Sequence, residues 1–203
     1  MWNPLSKLSA LIQGNGGIVN AHAHFDRAYS VTLEDFTNCR GNINSALQEK
    51  WKLVDKFKSN ATEEIYFQHI MAALRMQHEQ GIRYCLSFID CDPVAEERAL
   101  FAAKRAKEFV AKELKMRFLI AGQTLKGVVN KDARKWFEKS LEHVDLIGGL
   151  PGADAGNEEE HLDILLKAGK ETGKRIHVHV DQLNSSKEKE TELLARKVIH
   201  LTS

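Results

Sequence analysis

Two stretches of the sequence place histidines at alternate positions. Near the amino end, residues 17–26 read Gly-Ile-Val-Asn-Ala-His-Ala-His-Phe-Asp, so His22, His24 and Asp26 follow an apolar run at steps of two. Residues 177–181 read His-Val-His-Val-Asp. Side chains two residues apart on a strand point to the same face, and neutral imidazoles are common ligands of divalent metals. The spacing therefore predicts that His22 and His24 bind one divalent metal ion.

The second stretch supplies the candidate third ligand. His177 and His179 face the same way on a strand, and we expect His179, at the strand end, to complete the metal site. His177 would lie one layer deeper, and a hydrogen-bonded interior histidine is the favoured interpretation there. Asp26 and Asp181 follow the two motifs, and we expect them to orient the ligands from outside. The alternative for the first motif is a strand end whose polar groups are solvated or locally hydrogen-bonded.

The rest of the chain alternates strands with helices. Apolar runs predict strands over residues 18–24, 82–89, 116–122, 144–150 and 175–180, and helical periodicity predicts helices over 46–57, 63–79, 94–114, 132–141, 157–172 and 185–200. Asn157 is the expected cap of one helix, and Ser185 with Glu188 resembles a capping box before the last. Residues 1–16 predict a short amphipathic lead-in, and residues 27–60 include a candidate loop over the site. This order indicates an α/β fold with parallel strands.

Polar side chains collect where the predicted strands end. The four clusters are His22, His24 and Asp26; Asp90 and Asp92; Gln123 and Thr124; and His179, Asp181 and Gln182. In parallel α/β folds, sites are built at the edge where the carboxyl ends of the strands meet. We therefore expect a common polar mouth, at which Gln182 and Asp90 contact a substrate.

Composition excludes several classes of function. The 203 residues carry a formal net charge of +1, which gives no support to a nucleic-acid or membrane-surface partner. Cys39, Cys85 and Cys91 are odd in number and form no Cys-x-x-Cys pair, so neither a disulfide scaffold nor a thiolate zinc site is indicated. No signal peptide, membrane-length apolar run or glycine-rich phosphate loop is seen. We expect one cytoplasmic domain over residues 1–203.

Together the motifs resemble the amidohydrolase superfamily, and within it the cytosine deaminase-like branch. The resemblance runs from Val-Asn-Ala-His-Ala-His-Phe-Asp at 19–26 to His-Val-Asp-Gln-Leu-Asn at 179–184, with Phe-Ile-Asp-Cys-Asp at 88–92 and Gly-Gly-Leu-Pro at 148–151 between them. It implies a (β/α)8 TIM barrel with one divalent ion, zinc or iron, held at its mouth by His22, His24 and His179. It also implies a small-molecule substrate, whose C–N bond in a cyclic amidine or amide is hydrolysed by a metal-activated water.

Departures from the family pattern qualify what the resemblance implies. Where the family has a proton-shuttling Glu, this chain has Gln182, whose amide cannot exchange protons; Gln182 and its neighbour Asp181 are the candidate catalytic residues. Leu125 aligns with a base-reading Gln of cytosine deaminases, so Leu125 is a candidate substrate contact and cytosine is disfavoured. Residues 145–154 contain no Lys, which favours one metal over two. The chain ends after about five βα units, so an incomplete TIM-like barrel is expected.

Three functional interpretations stay open at this point. The leading one is a metal-dependent amidohydrolase or deaminase-like hydrolase. The second is a catalytically inactive, truncated barrel that serves as a binding or assembly module. A metal-dependent nuclease or phosphoesterase is third, because the strands at 116–122 and 144–150 lack the metal-binding Glu of those enzymes. Since an unclosed sheet leaves two edges and an uncovered apolar side, we expect a homodimer, or a larger assembly, that covers it.

Overall fold

The computed structural model describes residues 4–32, 34, 47–182 and 185–202. Its strands, in chain order, are β1 (Ile18–Ala23), β2 (Ile82–Asp90), β3 (Arg117–Gln123), β4 (Leu146–Gly149) and β5 (Ile176–Val178). The helices are α1 (Pro4–Gly14), α2 (Leu47–Asn60), α3 (Glu63–Glu79), α4 (Arg98–Phe109), α5 (Lys131–Ser140), α6 (Glu158–Thr172) and α7 (Glu190–Thr202). Short 3-10 turns follow β1 and β4, and α4 runs into a π-helical turn at Val110–Leu114. Among the described residues, no helix has the length and apolarity needed to cross a bilayer.

The five strands form one parallel sheet in the order β1-β2-β3-β4-β5. Open doubly wound sheets reverse their strand order part-way, whereas a barrel keeps its strands in sequence. Residue pairs on neighbouring strands agree with this order: Leu86 lies opposite Leu119, Gly122 opposite Ile147, and Gly148 opposite His177. The predicted fold class is thereby confirmed: the chain is an α/β protein with the strand order of an incomplete TIM-like barrel.

Alternation along β2 separates two apolar layers. Cys85 and Ile89 belong to the larger core, in which they pack with side chains of α3 and α4. Leu86 and Phe88, one residue out of phase, form a smaller cluster with Ala121 of β3 on the other face of the sheet. Each strand therefore supports helices on one face and presents the opposite face to the barrel interior.

Gly148 lets β4 approach its neighbours closely. A Cβ at this position would lie 2.7 Å from the Gly122 carbonyl oxygen and 2.9 Å from Phe88 Cδ1. Real Cβ atoms do not come that near to other heavy atoms, so any side chain here would push β4 away from β3. Because Gly148 has no side chain, β4 can pack closely against Phe88 in the interior of the half-barrel.

Some predicted boundaries differ from those observed. The lead-in is a full helix, α1, instead of a short turn. Helix α4 begins at Arg98, four residues later than predicted, because the Asp92 carboxylate accepts the Val94 and Ala95 N–H groups and Glu96 has a φ of 53°. The predicted helix over 46–57 corresponds to α2, whereas residues 33 and 35–46, with Cys39, lie outside the described part of the chain.

Of the two predicted helix caps, one has the predicted position and the other is wrong. Asn157 precedes α6 as its N-cap residue, although its side chain makes no capping hydrogen bond. Ser185 and Glu188 close a local turn, in which the Ser185 N–H donates to Glu188 Oε2 at 2.8 Å, and α7 begins only at Glu190. Helix α6 ends at Thr172, as predicted, and Gly173 terminates it with a φ of 68°.

Candidate metal centre

Three predicted ligands converge at one end of the sheet. His22 lies near the end of β1, His24 follows that strand, and His179 follows β5. One ring nitrogen from each lies within 4.8 Å of those of the other two, and Nε2 of His22 is 3.3 Å from Nε2 of His179. Two nitrogens that bind one tetrahedral zinc ion at ~2.0–2.1 Å lie ~3.3 Å apart. The donor set therefore fits a divalent metal ion.

The protonation states of these rings suit metal binding. Burial, and after it the Arg27 guanidinium and the His179 ring, lower the pKa of His24 to about 3. Burial likewise lowers the pKa of His179 to about 4. Both imidazoles are therefore neutral near pH 7, which leaves a ring nitrogen lone pair for a metal.

Phe88 is a functional-site residue that sequence reasoning missed. Its ring centroid lies 5.0 Å from that of His22, 5.2 Å from His24, and 4.3 Å from His179. This fully buried ring forms an apolar wall against which the histidine rings pack. The signal was available: Phe88 stands two residues before Asp90 on β2 and so shares its face.

His177 lies beside the ligands, as its spacing predicted. Its ring centroid is 5.3 Å from that of His22 and 4.8 Å from that of Phe88. Burial lowers the pKa of His177. Its ring contacts are these aromatic ones, and no hydrogen bond to it is seen among residues 4–32, 34, 47–182 and 185–202. The expected hydrogen-bonded interior histidine is thus a half-buried packing residue.

A buried charged network lies next to the histidines. Lys58 of α2 donates to Asp90 Oδ2 at 3.0 Å and also to Asp92, and all three side chains are about 1% exposed or less. Gln123 Nε2 donates to Asp90 Oδ1 at 3.0 Å, and the Asp90 N–H donates to Asp26 Oδ2 at 2.8 Å. Asp90 is therefore buried and hydrogen-bonded within the protein instead of facing a substrate. Asp26 supports the end of β2 and makes no described hydrogen bond to a histidine ring.

The ionisable groups of this network differ in how burial and neighbouring charges shift their pKa values. Burial, and after it the neighbouring Asp90 carboxylate, raise the pKa of Asp26 to about 7. Burial also acts to raise the pKa of Asp90, but the Lys58 and Arg27 charges outweigh it and hold that pKa below its ordinary value. For Lys58, the two carboxylates outweigh the effect of burial and raise the pKa. The Lys58–Asp90 pair is therefore ionised at neutral pH.

A cavity of about 690 Å³ opens beside the metal-ligand histidines. Its lining includes His24 and His179, and apolar side chains of α2 and of the loops after β3 and β4 form its walls; these are Val54, Leu125 and Leu150. The predicted residues Leu125 and Gln182 thus reach the cavity, while Asp90 does not line it. Gln182 is exposed at the rim.

Asp181 has a different place from the one predicted. Its carboxylate accepts the N–H groups of Glu190 and Thr191 at 2.9 and 3.3 Å and also the Thr191 hydroxyl. Its φ of 52° turns the chain away from the line of β5. Asp181 therefore caps the amino end of α7 and does not reach the histidines.

Comparison with known proteins finds relatives that align with most of this chain. No protein-family model matches the chain. It is 44% identical over 188 residues to an uncharacterized protein of Haemophilus influenzae, a match that covers 91% of this chain and 66% of that protein. It is 28% identical over 188 residues to N-isopropylammelide isopropyl amidohydrolase of a Pseudomonas species, across 90% of this chain and 45% of the relative.

The structural comparison agrees. The 5-methylcytosine deaminase of Klebsiella pneumoniae, solved with 5-fluorocytosine, superimposes with a TM-score of 0.81 and 18% identity over 92% of this chain and 44% of that one. The resemblance to the amidohydrolase superfamily is confirmed. This chain spans less than two thirds of the length of the relatives that it matches. It therefore aligns with only part of each of these proteins.

Proposed function

We propose that the chain forms the metal-binding part of a hydrolase that cleaves a C–N bond in a small cyclic amidine or amide. The observation that carries this proposal is the convergence of His22, His24 and His179 within 4.8 Å beside a cavity of about 690 Å³. The names of the Pseudomonas amidohydrolase and the Klebsiella deaminase support the reaction class. A cavity whose apolar walls stand beside several polar side chains suits a flat heterocyclic substrate.

The residues around the cavity would have different roles in binding the metal and the substrate. His22, His24 and His179 would hold a zinc or iron ion, which, when bound, makes a water molecule nucleophilic near neutral pH. Phe88 fixes the rings of these histidines by packing against them. Leu125 and Gln182 would contact the substrate from the cavity wall and rim.

Gln182 favours a second candidate function, a ligand-binding module without turnover. The amide lies at the rim of the cavity, where a proton shuttle would serve the reaction, but it has no titratable proton. We therefore propose slow or absent turnover for the chain as it stands. We expect the Gln182→Glu variant to release ammonia faster than the wild type from a panel of pyrimidines and triazines. Equal activity of the two proteins would contradict this role for position 182.

Metal content tests the leading proposal directly. We expect near-stoichiometric zinc or iron in the purified chain by inductively coupled plasma mass spectrometry, and its loss in a His22→Ala/His24→Ala variant. A His143→Ala/His200→Ala variant is the matched control, because it also removes two histidines but far from the cavity. Failure of the wild type to hold either metal after reconstitution would contradict the proposal.

We also propose that the chain forms a homodimer in the cytoplasm. β1 and β2 present Val19 and Tyr84 to solvent, 64% and 46% exposed, at positions that a partner would cover. Light scattering at micromolar concentration tests this, and a monodisperse monomer would refute the dimer.

A further inference from the structure

A second cavity, of about 720 Å³, lies at the end of the sheet opposite the histidines. It is lined from the first residues of β2 and β3, from the end of α4 and from the segments that precede β1 and β4, and we call it the amino-terminal cavity. At ~3.3 Å per residue, Arg83 at the start of β2 stands ~23 Å from Asp90 at its end. The amino-terminal cavity is therefore separate from the candidate metal centre.

The charge around this cavity is mainly positive. Its lining includes one carboxylate, that of Asp145, and four cations, which belong to Arg83, Lys107, Lys115 and Arg117. The formal net charge of the whole chain is only +1, so the excess of positive charge is local. Charges of one sign around a cleft focus the electric field there and raise the local concentration of ions of opposite sign. The amino-terminal cavity therefore favours an anion.

The carboxylate of Asp145 is already neutralised within the protein. Lys107 Nζ donates to both of its oxygens, at 2.6 and 2.7 Å. Asp145 Oδ2 also accepts the Ile120 N–H at 2.8 Å. Asp145 thus joins α4 to β3, and it leaves the other three cations of the cavity without a counter-ion.

Those three cations suit a phosphate group. Within residues 4–32, 34, 47–182 and 185–202, the side chains of Arg83, Lys115 and Arg117 form no ion pair. Arg83 is half-buried, whereas Lys115 and Arg117 are exposed to solvent. An Arg can donate two parallel hydrogen bonds to phosphate oxygens, and a Lys adds a point charge. Two guanidinium groups and one ammonium group around one cavity therefore match a phosphate dianion.

Arg83 is held in place before any ligand binds. Its Nη1 atom donates to the carbonyl oxygens of His78 and Ile82 at 3.1 and 3.2 Å. A Cβ on Gly17 would clash with the Arg83 side chain, so the glycine leaves the room in which that side chain lies. The Nη2 atom has no partner in the described part of the chain and is accessible to solvent. A guanidinium fixed in this way loses little side-chain entropy when it binds an anion.

An apolar wall stands beside the cations. Tyr84 lies opposite Arg117 across the β2–β3 pair and is 46% exposed. Leu119, two residues after Arg117 on the same face of β3, also lines the cavity. An aromatic side chain supplies a large apolar contact area, and about 720 Å³ is within the range of small-molecule sites. The cavity therefore has room for an organic anion as well as an inorganic one.

We propose that the amino-terminal cavity binds a phosphate monoester with an aromatic body, its phosphate on Arg83, Lys115 and Arg117 and its ring on Tyr84. This proposal does not rest on the proposed hydrolase, because the length of β2 separates the two sites. Tyr84 also belongs to the surface that the proposed dimer would cover, so the ligand and the dimer would exclude each other. The amino-terminal face of a barrel ordinarily serves stability, and a ligand there would stabilise the fold.

Phenyl phosphate, phenol and inorganic phosphate separate the contributions of charge and ring. By isothermal titration calorimetry, the wild type should bind phenyl phosphate about tenfold or more tighter than phenol, which lacks the charge, or phosphate, which lacks the ring. Lys115→Gln/Arg117→Gln should weaken the binding of phenyl phosphate about tenfold or more. Arg105→Gln/Lys170→Gln is the matched control, because it removes one Arg and one Lys from exposed positions outside the cavity and should bind like the wild type.

A measurement on the wild type covers the case in which the Lys115→Gln/Arg117→Gln variant does not fold. In proton–nitrogen correlation spectra, phenyl phosphate should shift the backbone amide signals of Tyr84 and Arg117 and leave those of His24 and His179 in place. The proposal would be overturned by a lack of saturable binding at millimolar concentration, by equal losses in the two double variants, or by shifts at the histidines instead. Phenol or phosphate that binds as tightly as phenyl phosphate would overturn the assignment of the ligand.

Discussion

Lys58 is the residue whose removal should cost the most stability outside the apolar core. Its ammonium group is about 1% exposed and donates to the carboxylates of Asp90 and Asp92. In Lys58→Met these acids lose their counter-ion while they stay buried. Removal of one partner from a buried ion pair costs about 3–5 kcal/mol. We expect about 3 kcal/mol, because Asp90 keeps its hydrogen bond from Gln123.

Urea unfolding followed by circular dichroism measures this loss, and thermal melting checks it independently. For a chain of this length, about 3 kcal/mol corresponds to a fall in melting temperature of about 6–12 °C. Lys107→Met is the matched control. Lys107 pairs with Asp145, but their side chains are 38% and 27% exposed, so that substitution should cost less than about 1 kcal/mol.

A comparison of the two variants can refute the predicted contribution of the buried network. If Lys58→Met loses no more stability than Lys107→Met, the buried network contributes nothing beyond a solvated pair. A second substitution adds a check: Asp92→Asn in the Lys58→Met background should restore part of the loss, since it removes one of the two buried carboxylates that have lost the Lys58 ammonium.

Three further perturbations follow from the contacts described above. Asp181→Ala should lower the free energy of unfolding by about 1 kcal/mol through loss of the α7 cap, with metal content unchanged. Gly148→Ala should cost about 1–3 kcal/mol by overpacking against Phe88, seen as a lower melting temperature. The third concerns pH. Burial acts to raise the pKa of Asp154, but the hydrogen bonds from His161 and from the Val128 and Val129 N–H groups together outweigh it and hold that pKa below its ordinary value. Its stabilisation is thus present above about pH 4 and lost as the pH falls further, and Asp154→Asn should flatten the acid limb of a melting-temperature series.

Each of these has an outcome that would contradict it. Loss of metal in Asp181→Ala would show that this carboxylate acts on the ligands after all. An unchanged melting temperature in Gly148→Ala would mean that β4 moves without cost. Identical acid limbs for the wild type and Asp154→Asn would remove Asp154 from the pH dependence.

The histidine cluster could be predicted from local sequence spacing. Period-two spacing placed His22 and His24 on one face of β1 and His177 and His179 on one face of β5, and the carboxyl ends of parallel strands share an edge. No knowledge of long-range packing was needed to bring these rings together. The helix α3 was equally local: an amphipathic stripe ending before Gly81 predicted residues 63–79, which are its bounds as observed.

Charged side chains behaved differently. Asp90 and Asp181 both stand at strand ends, yet Asp90 is paired with Lys58 from α2, and Asp181 caps α7. Their partners lie 32 and 9 residues away in sequence, and nothing in the spacing of either acid specifies them. A polar residue at the mouth of a barrel can face the cavity or brace the scaffold, and the neighbouring helices decide which.

The sequence by itself determined the alternation of strands and helices, the parallel sheet, and the three histidines at its carboxyl edge, because each depends on periodicity over a few residues. Only the tertiary structure decided which polar groups face the cavity. It buried Asp90 against Lys58 and turned Asp181 away at a φ of 52°. These outcomes depend on which distant side chains the packed helices bring within hydrogen-bonding distance, and a one-dimensional pattern does not encode that distance.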